Sequence, residues 1–156
     1  MKLTRSSRHS KITGDFGEAI VLYLLSRHGF ECARVDHTGI DLIARRPNSP
    51  EVLGISVKSR SRQVGTENTP LNLPHDGFVK AEAACDAFHC IPYFALVIDT
   101  GERIHVFLVS LRHLKELIPG GHKVPAWPMS DKFLRKYYED PKINIFEFSA
   151  QAKKWF

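Results

Sequence analysis

The chain has 156 residues, of which 43% are hydrophobic and 25% charged, and its formal net charge is +5. A chain of this size can bury a core as one domain without disulfides or a structural metal, and the composition is that of an ordinary globular protein. Cys32, Cys85 and Cys90 form an odd set with no C-x-x-C pair, which argues against a disulfide framework or a zinc knuckle and for free buried thiols in a cytoplasmic protein.

The charge is unevenly placed. Residues 1–65 hold 11 Lys/Arg and 6 Asp/Glu, a balance of +5, while residues 66–156 hold 11 of each sign. A basic segment of this kind suits a phosphate backbone, and it equally suits a solvated surface that keeps the protein soluble. No apolar run reaches the length of a membrane span. The start of the chain, Met1 to Arg8, has no apolar stretch behind it and does not read as a secretory signal.

In chain order, residues 1–13 form a basic, Ser-rich segment expected to be flexible, and residues 14–156 a single domain. A helix should start near Asp15, where Phe16, Ala19, Ile20, Tyr23 and Leu24 recur at helical spacing, and end at Gly29. Strands follow over 30–35, 39–44 and 52–58, the second and third antiparallel across the turn at 46–50. Residues 61–77 read as a long polar loop, which suits a functional segment. A helix over 78–89 leads to the apolar run Tyr93 to Ile98, a central strand, and a hairpin returns through Arg103 to Val109. Ser110 can cap a short helix to Ile118. A Gly/Pro-rich loop over 119–128, a helix near 130–138 and a strand near 143–148 close the chain. The late aromatics Trp127, Phe133, Tyr137, Tyr138, Phe146, Phe148, Trp155 and Phe156 read as core or interface rather than as base-stacking platforms.

Asp41 is unusual: an aspartate inside an apolar strand is costly unless it is paired or bound to something. Arg34 is one candidate partner. Strand alternation puts Leu53, Ile55 and Val57 on one face of the third strand and Gly54, Ser56 and Lys58 on the other. If the second and third strands pair, Asp41 shares a face with Ser56 and Lys58, and Gly54 leaves that face open. Glu18 lines up on the first helix with Val21, Leu22 and Leu25. Asp15 with Glu18 also matches the spacing of a capping box, so a capping role and a metal role both stand for Glu18.

The runs Gly14-Asp15-Phe16-Gly17-Glu18, Gly39-Ile40-Asp41-Leu42-Ile43-Ala44 and Gly54-Ile55-Ser56-Val57-Lys58-Ser59-Arg60 together resemble the core of the PD-(D/E)XK nuclease superfamily. The likeness is nearest to its restriction-endonuclease-like and Holliday-junction-resolvase-like branches and covers roughly residues 14–62. It implies an α/β (α+β) fold with an αβββαβ core, a mixed central sheet flanked by helices, and a C-terminal extension. It implies a Mg²⁺- or Mn²⁺-dependent endonuclease acting on DNA, branched or damaged forms included, with a homodimer among the expected assemblies. Asp41 would be the main metal ligand, Glu18 would orient the metal directly or through water, and the Val57 backbone carbonyl would be a further ligand. Lys58 would position the attacking water and offset charge on the phosphate.

Ser56 departs from the pattern, which has Glu or Asp two residues before the lysine. A serine there weakens metal binding, so a DNA-binding or regulatory module that has lost catalysis is the alternative. Glu51 lies too far along the strand to substitute without a bulge, and Glu67 would have to swing in from the long loop. Arg45, Arg46, Arg60 and Arg62 extend the basic strip and are the candidate phosphate contacts. A protein-interaction domain using the aromatic C-terminal part is a third reading. No H-E-x-x-H pattern, nucleophile elbow or P-loop is present.

Overall fold

The computed structural model describes residues 4–118 and 124–155. Its elements are, in chain order, α1 (His9–Arg27), β1 (Glu31–His37), β2 (Ile40–Arg45), β3 (Val52–Ser61), β4 (Leu71–Asn72), α2 (His75–Phe88), β5 (Ile91–Asp99), β6 (Arg103–Ser110), α3 (Leu111–Leu117), β7 (Ala126–Trp127), α4 (Asp131–Glu139) and β8 (Asn144–Ser149). Six strands form one sheet in the order β1-β2-β3-β5-β6-β8, and β4 and β7 form a separate two-stranded ribbon. β3 and β5 run parallel, joined by a crossover containing α2, and the other neighbours in the large sheet run antiparallel. The expected loop over 61–77 therefore contains β4 and the first residues of α2. The first part of the expected Gly/Pro-rich loop lies outside the described residues, and its second part contains β7.

The sheet is covered on both faces, as a parallel pair at its centre requires. On one face Val21, Leu24 and Leu25 of α1 pack on Leu42, Leu53, Ile55 and Ala95. On the other, Phe78 and Ala81 of α2 and Leu111 and Leu114 of α3 pack on Phe94, Leu96, Phe107 and Val109, together with Trp127 and Tyr137. Trp127 stacks on Tyr137 with centroids 3.9 Å apart. Trp127 and Tyr137 are thus core, while Tyr138 and Trp155 are exposed. Phe156 lies outside the described residues.

α1 differs from the sequence expectation in start and in face. It begins at His9, reaching back into the segment expected to be flexible, and Thr13 Oγ1 donates to the His9 carbonyl. Its buried residues are Gly17, Val21, Leu24 and Leu25, whereas Phe16 and Tyr23 are exposed. Gly17 sets how closely α1 approaches: a Cβ there would collide with Ser59 Oγ of β3. Arg5 ties the preceding segment to the end of the same strand, donating to the carbonyl oxygens of Ser61 and Arg62 at 3.1 and 2.6 Å.

Ser110 caps α3 as expected, its Oγ accepting from the His113 N–H at 3.2 Å. His113 then links α3 to the turn before β8, with Nε2 2.7 Å from Asp140 and Nδ1 3.0 Å from Glu116. Burial works against the imidazolium, but the two carboxylates outweigh it and raise the His113 pKa above its ordinary value. A raised folded-state pKa gives stability that is full below the unfolded pKa of about 6.5 and is lost as pH rises through the folded value. His113→Ala should therefore cost about 1–2 kcal/mol at pH 6 and clearly less at pH 9. Urea unfolding of both proteins at the two pH values checks this, and an equal loss at both would remove the imidazolium from the account.

Candidate active site

The β2–β3 hairpin is regular at its turn end and irregular at its open end. The two strands pair from Arg45↔Val52 to Leu42↔Ile55. One step further the ladder gives way, and the Val57 N–H donates to Asp41 Oδ2 at 2.6 Å. The carboxylate thus satisfies a backbone donor that would otherwise lack a partner. On its other side β2 meets a bulge. Arg34 pairs with Leu42 and His37 with Ile40, so Val35 and Asp36 of β1 stand opposite Asp41 alone. Bulges of this kind re-aim a side chain and are over-represented beside active sites.

Asp41, Ser56 and Lys58 line one cavity of about 230 Å³ together with Gly39, Pro74, Asp76, Gly77 and Lys80. The strand registers explain the grouping. Ser56 pairs with Phe94 and Lys58 with Leu96, and these partners belong to the core under α2. Ile55 and Val57 belong to the opposite core, under α1. The carboxylate, the hydroxyl and the amine therefore come together on the α2 side of the sheet, as period-two alternation predicts.

Other expected features are placed differently. Gly54 does not leave its face open, because a Cβ there would lie 2.5 Å from Cys85 Sγ and 3.2 Å from Cys90 Cβ. The free space begins further along β3, at Ser56 and Lys58. Arg34 approaches Glu18, at 3.9 Å, and not Asp41. Glu18 is no capping residue, since α1 starts at His9 and has no acidic residue in its first turn. Nor does Glu18 line the cavity. It stands within electrostatic reach of it, because burial and then the charge of Asp41 raise its pKa above the ordinary carboxylate value.

Arg45 and Arg46 sit at the turn end of the hairpin, away from Asp41. Arg46 pairs with Glu51 at 2.9 Å and reaches Tyr93 Oη at 3.3 Å. Arg60 and Arg62 follow Lys58 along β3. Arg62 donates to the carbonyls of Thr69 and Pro70, both at 2.9 Å, and so holds the loop that leads to α2. Glu67 is tied within that loop, its carboxylate accepting from the Gly65 N–H at 2.9 Å. Arg5, Asp76 and Lys80 were not singled out from the sequence. Asp76 and Lys80 lie in the first turns of α2 and pair with each other at 2.6 Å.

The donor set suits a hard cation. Two carboxylates and a hydroxyl face the cavity, and Mg²⁺ is commonly held by one or two carboxylates with waters and substrate phosphates completing its shell. Among the described residues no group of three or more His, Cys, Asp or Glu is arranged to hold a metal by itself. All three cysteines are free, Cys85 buried and the others half-buried. No described helix is long and apolar enough to cross a membrane.

No protein-family model matches the sequence, and no curated protein matches it. Solved structures do match the fold. One is a protein of Archaeoglobus fulgidus described as Hjc, a Holliday junction resolvase from an archaeal hyperthermophile. The similarity has a TM-score of 0.54 at 18% identity, covering 76% of this chain and 91% of the other. The chain has a restriction-endonuclease-like α/β fold, with α1, β1–β3, α2 and β5 as its αβββαβ core and a C-terminal extension.

Proposed function

We propose that the protein is a metal-dependent endonuclease of DNA phosphodiester bonds, with its reactive centre at Asp41 and Lys58. One observation carries the reading: Asp41, Ser56 and Lys58 line a single cavity at the opened, bulged end of the β2–β3 hairpin. An apolar strand does not spend an aspartate on such a position for packing. The similarity to a solved resolvase supports the choice of substrate class.

In this reading Asp41, one oxygen of which accepts the Val57 N–H, would hold Mg²⁺ or Mn²⁺. Glu18, outside the cavity lining, would act on the metal only through water, and the Val57 carbonyl would be a further oxygen donor. A metal bound there would supply an activated water and electrostatic stabilisation of the phosphate. Lys58 donates to a non-bridging phosphate oxygen and offsets the negative charge that grows there. Arg60 and Arg62, with Arg5 beside them, contact neighbouring phosphates and set register without reading sequence. Arg45 and Arg46 would meet only nucleic acid that runs on past the hairpin turn.

The purified protein is expected to nick supercoiled plasmid or branched DNA with Mg²⁺ or Mn²⁺ and to stop in EDTA. Absence of cutting on every DNA form with either ion would end the catalytic reading. A second reading has its own support in the buried Ser56, 2% exposed, where the superfamily pattern has a carboxylate. That reading is a nuclease-fold module that binds DNA without cutting it, and salt-sensitive DNA binding in the absence of cleavage would select it.

A further inference from the structure

The cavity at the open end of the hairpin has a second carboxylate in its wall, and it comes from a different element than the sequence pattern leads one to search. Asp76 stands in the first turn of α2 and lines the cavity with Asp41, Ser56 and Lys58. Building on the metal-dependent reading above, we propose that Asp76 is the second metal-holding carboxylate and supplies from the helix the negative charge that Ser56 does not.

The alternatives among the acidic residues are placed elsewhere. Glu18 faces Arg34 from the α1 side of the sheet. Glu51 is paired with Arg46 at the far end of the hairpin, and Glu67 is folded onto its own loop. Among the acidic side chains of the described residues, only Asp76 lines the cavity with Asp41. Two carboxylates suffice for Mg²⁺ when waters and a phosphate oxygen fill the remaining positions.

The approach of α2 to β2 is fixed by backbone. The Lys80 carbonyl packs so closely on Gly39 that a Cβ there has no room, and Gly39 lies two residues before Asp41 in the chain. The first turns of the helix are thereby held against the start of β2. The Asp76 side chain is nonetheless free to turn, being 70% exposed, and Lys80 is its ion-pair partner. An exposed pair of this kind is worth only about 0–1 kcal/mol. A divalent cation can therefore take the carboxylate from Lys80. Lys80 itself lines the cavity, so the released ammonium would be at hand for a phosphate oxygen.

The test is calorimetric titration with Mn²⁺, without DNA, on the full chain and on Asp76→Asn, Lys80→Met, the double variant and Asp41→Asn. Asp76→Asn is expected to weaken Mn²⁺ binding about tenfold or more with an unchanged melting temperature. Lys80→Met is expected to tighten binding several-fold, and that gain should vanish when Asp76 is already Asn, a coupling that a double-mutant cycle reads directly. A residue that only stabilises the helix end gives a different pattern. Asp76→Asn would then bind Mn²⁺ like the parent, and Lys80→Met would tighten binding equally in both backgrounds, which overturns the proposal. Loss of binding in Asp41→Asn with full retention in Asp76→Asn sinks the Asp76 assignment and leaves the Asp41 reading standing. A parent protein that binds no Mn²⁺ overturns both.

Discussion

Asp41→Asn is expected to remove the proposed metal-dependent cleavage and to leave the fold in place. The proposed centre gives the carboxylate of Asp41 a second task beside its hydrogen bond. Oδ2 accepts the Val57 N–H at 2.6 Å, in the position where the β2–β3 ladder has given way. Asp41 also lines the cavity, where the proposed cation would sit. Asparagine keeps an acceptor oxygen for Val57 and loses the charge, so it separates the two tasks. Losing an outer-shell partner of a metal site typically costs about 10–100-fold, and removing the principal carboxylate should cost at least the upper end of that range. Asp41→Ala is the wrong comparison, because it also removes the partner of the part-buried Val57 N–H, at a cost of up to about 1–3 kcal/mol. In a chain of this size that would lower the melting temperature by several degrees and confuse loss of chemistry with loss of fold. Plasmid nicking in Mn²⁺, with a thermal melt of each variant, makes the distinction. Undiminished cutting by Asp41→Asn would show that the reactive centre lies elsewhere.

What the sequence made legible follows from which signals are local. Alternation along a strand has a period of two, so the common face of Ser56 and Lys58 could be read from residues 52–58 alone. The break in the ladder at Asp41 could not, because a bulge is a relation between two strands and leaves no mark in either one. The start of α1 was misplaced because Ser10, Thr13 and Gly14 are weak helix formers, yet packing through Gly17, Val21 and Leu24 carries the helix back to His9.

Asp76 was missed for a related reason. Pro74, Asp76 and Gly77 carry turn chemistry, so the sequence predicts a helix only after them. The available counter-signal was an acidic residue in a first turn followed by Phe78, Ala81, Ala84 and Cys85 at helical spacing, which are the buried residues of α2. β4 and β7 are each two residues long and too short to carry any period. Gly54 misled in the opposite direction. A glycine in a strand marks either open space or close approach, and only the position of Cys85 and Cys90 decides for close approach.

Gly39→Ala should be among the most damaging single substitutions in the protein, and its effect should reach both stability and the cavity. Gly39 has φ = +100°, a conformation that costs an L-residue about 1–3 kcal/mol. Its missing Cβ also makes room for the main chain of α2. A methyl group there would collide with the Lys80 carbonyl and lie 2.9 Å from the Ala81 N. Backbone in a helix cannot turn aside as a side-chain tip can, so α2 or the β1–β2 turn must move, at an overpacking cost of about 1–3 kcal/mol more. The expected total is about 2–6 kcal/mol, a large fraction of a typical domain's stability. The displacement also separates the wall that carries Asp76 and Lys80 from the strand that carries Asp41. Denaturant unfolding should show the loss, and Mn²⁺ titration at low temperature, where the variant stays folded, should show weakened binding although no oxygen donor has been removed. Gly14→Ala is the matched control, since a Cβ at Gly14 meets nothing within 4 Å. If Gly39→Ala proved as stable as Gly14→Ala, the close contact between β2 and α2 could not be what holds the two cavity walls together.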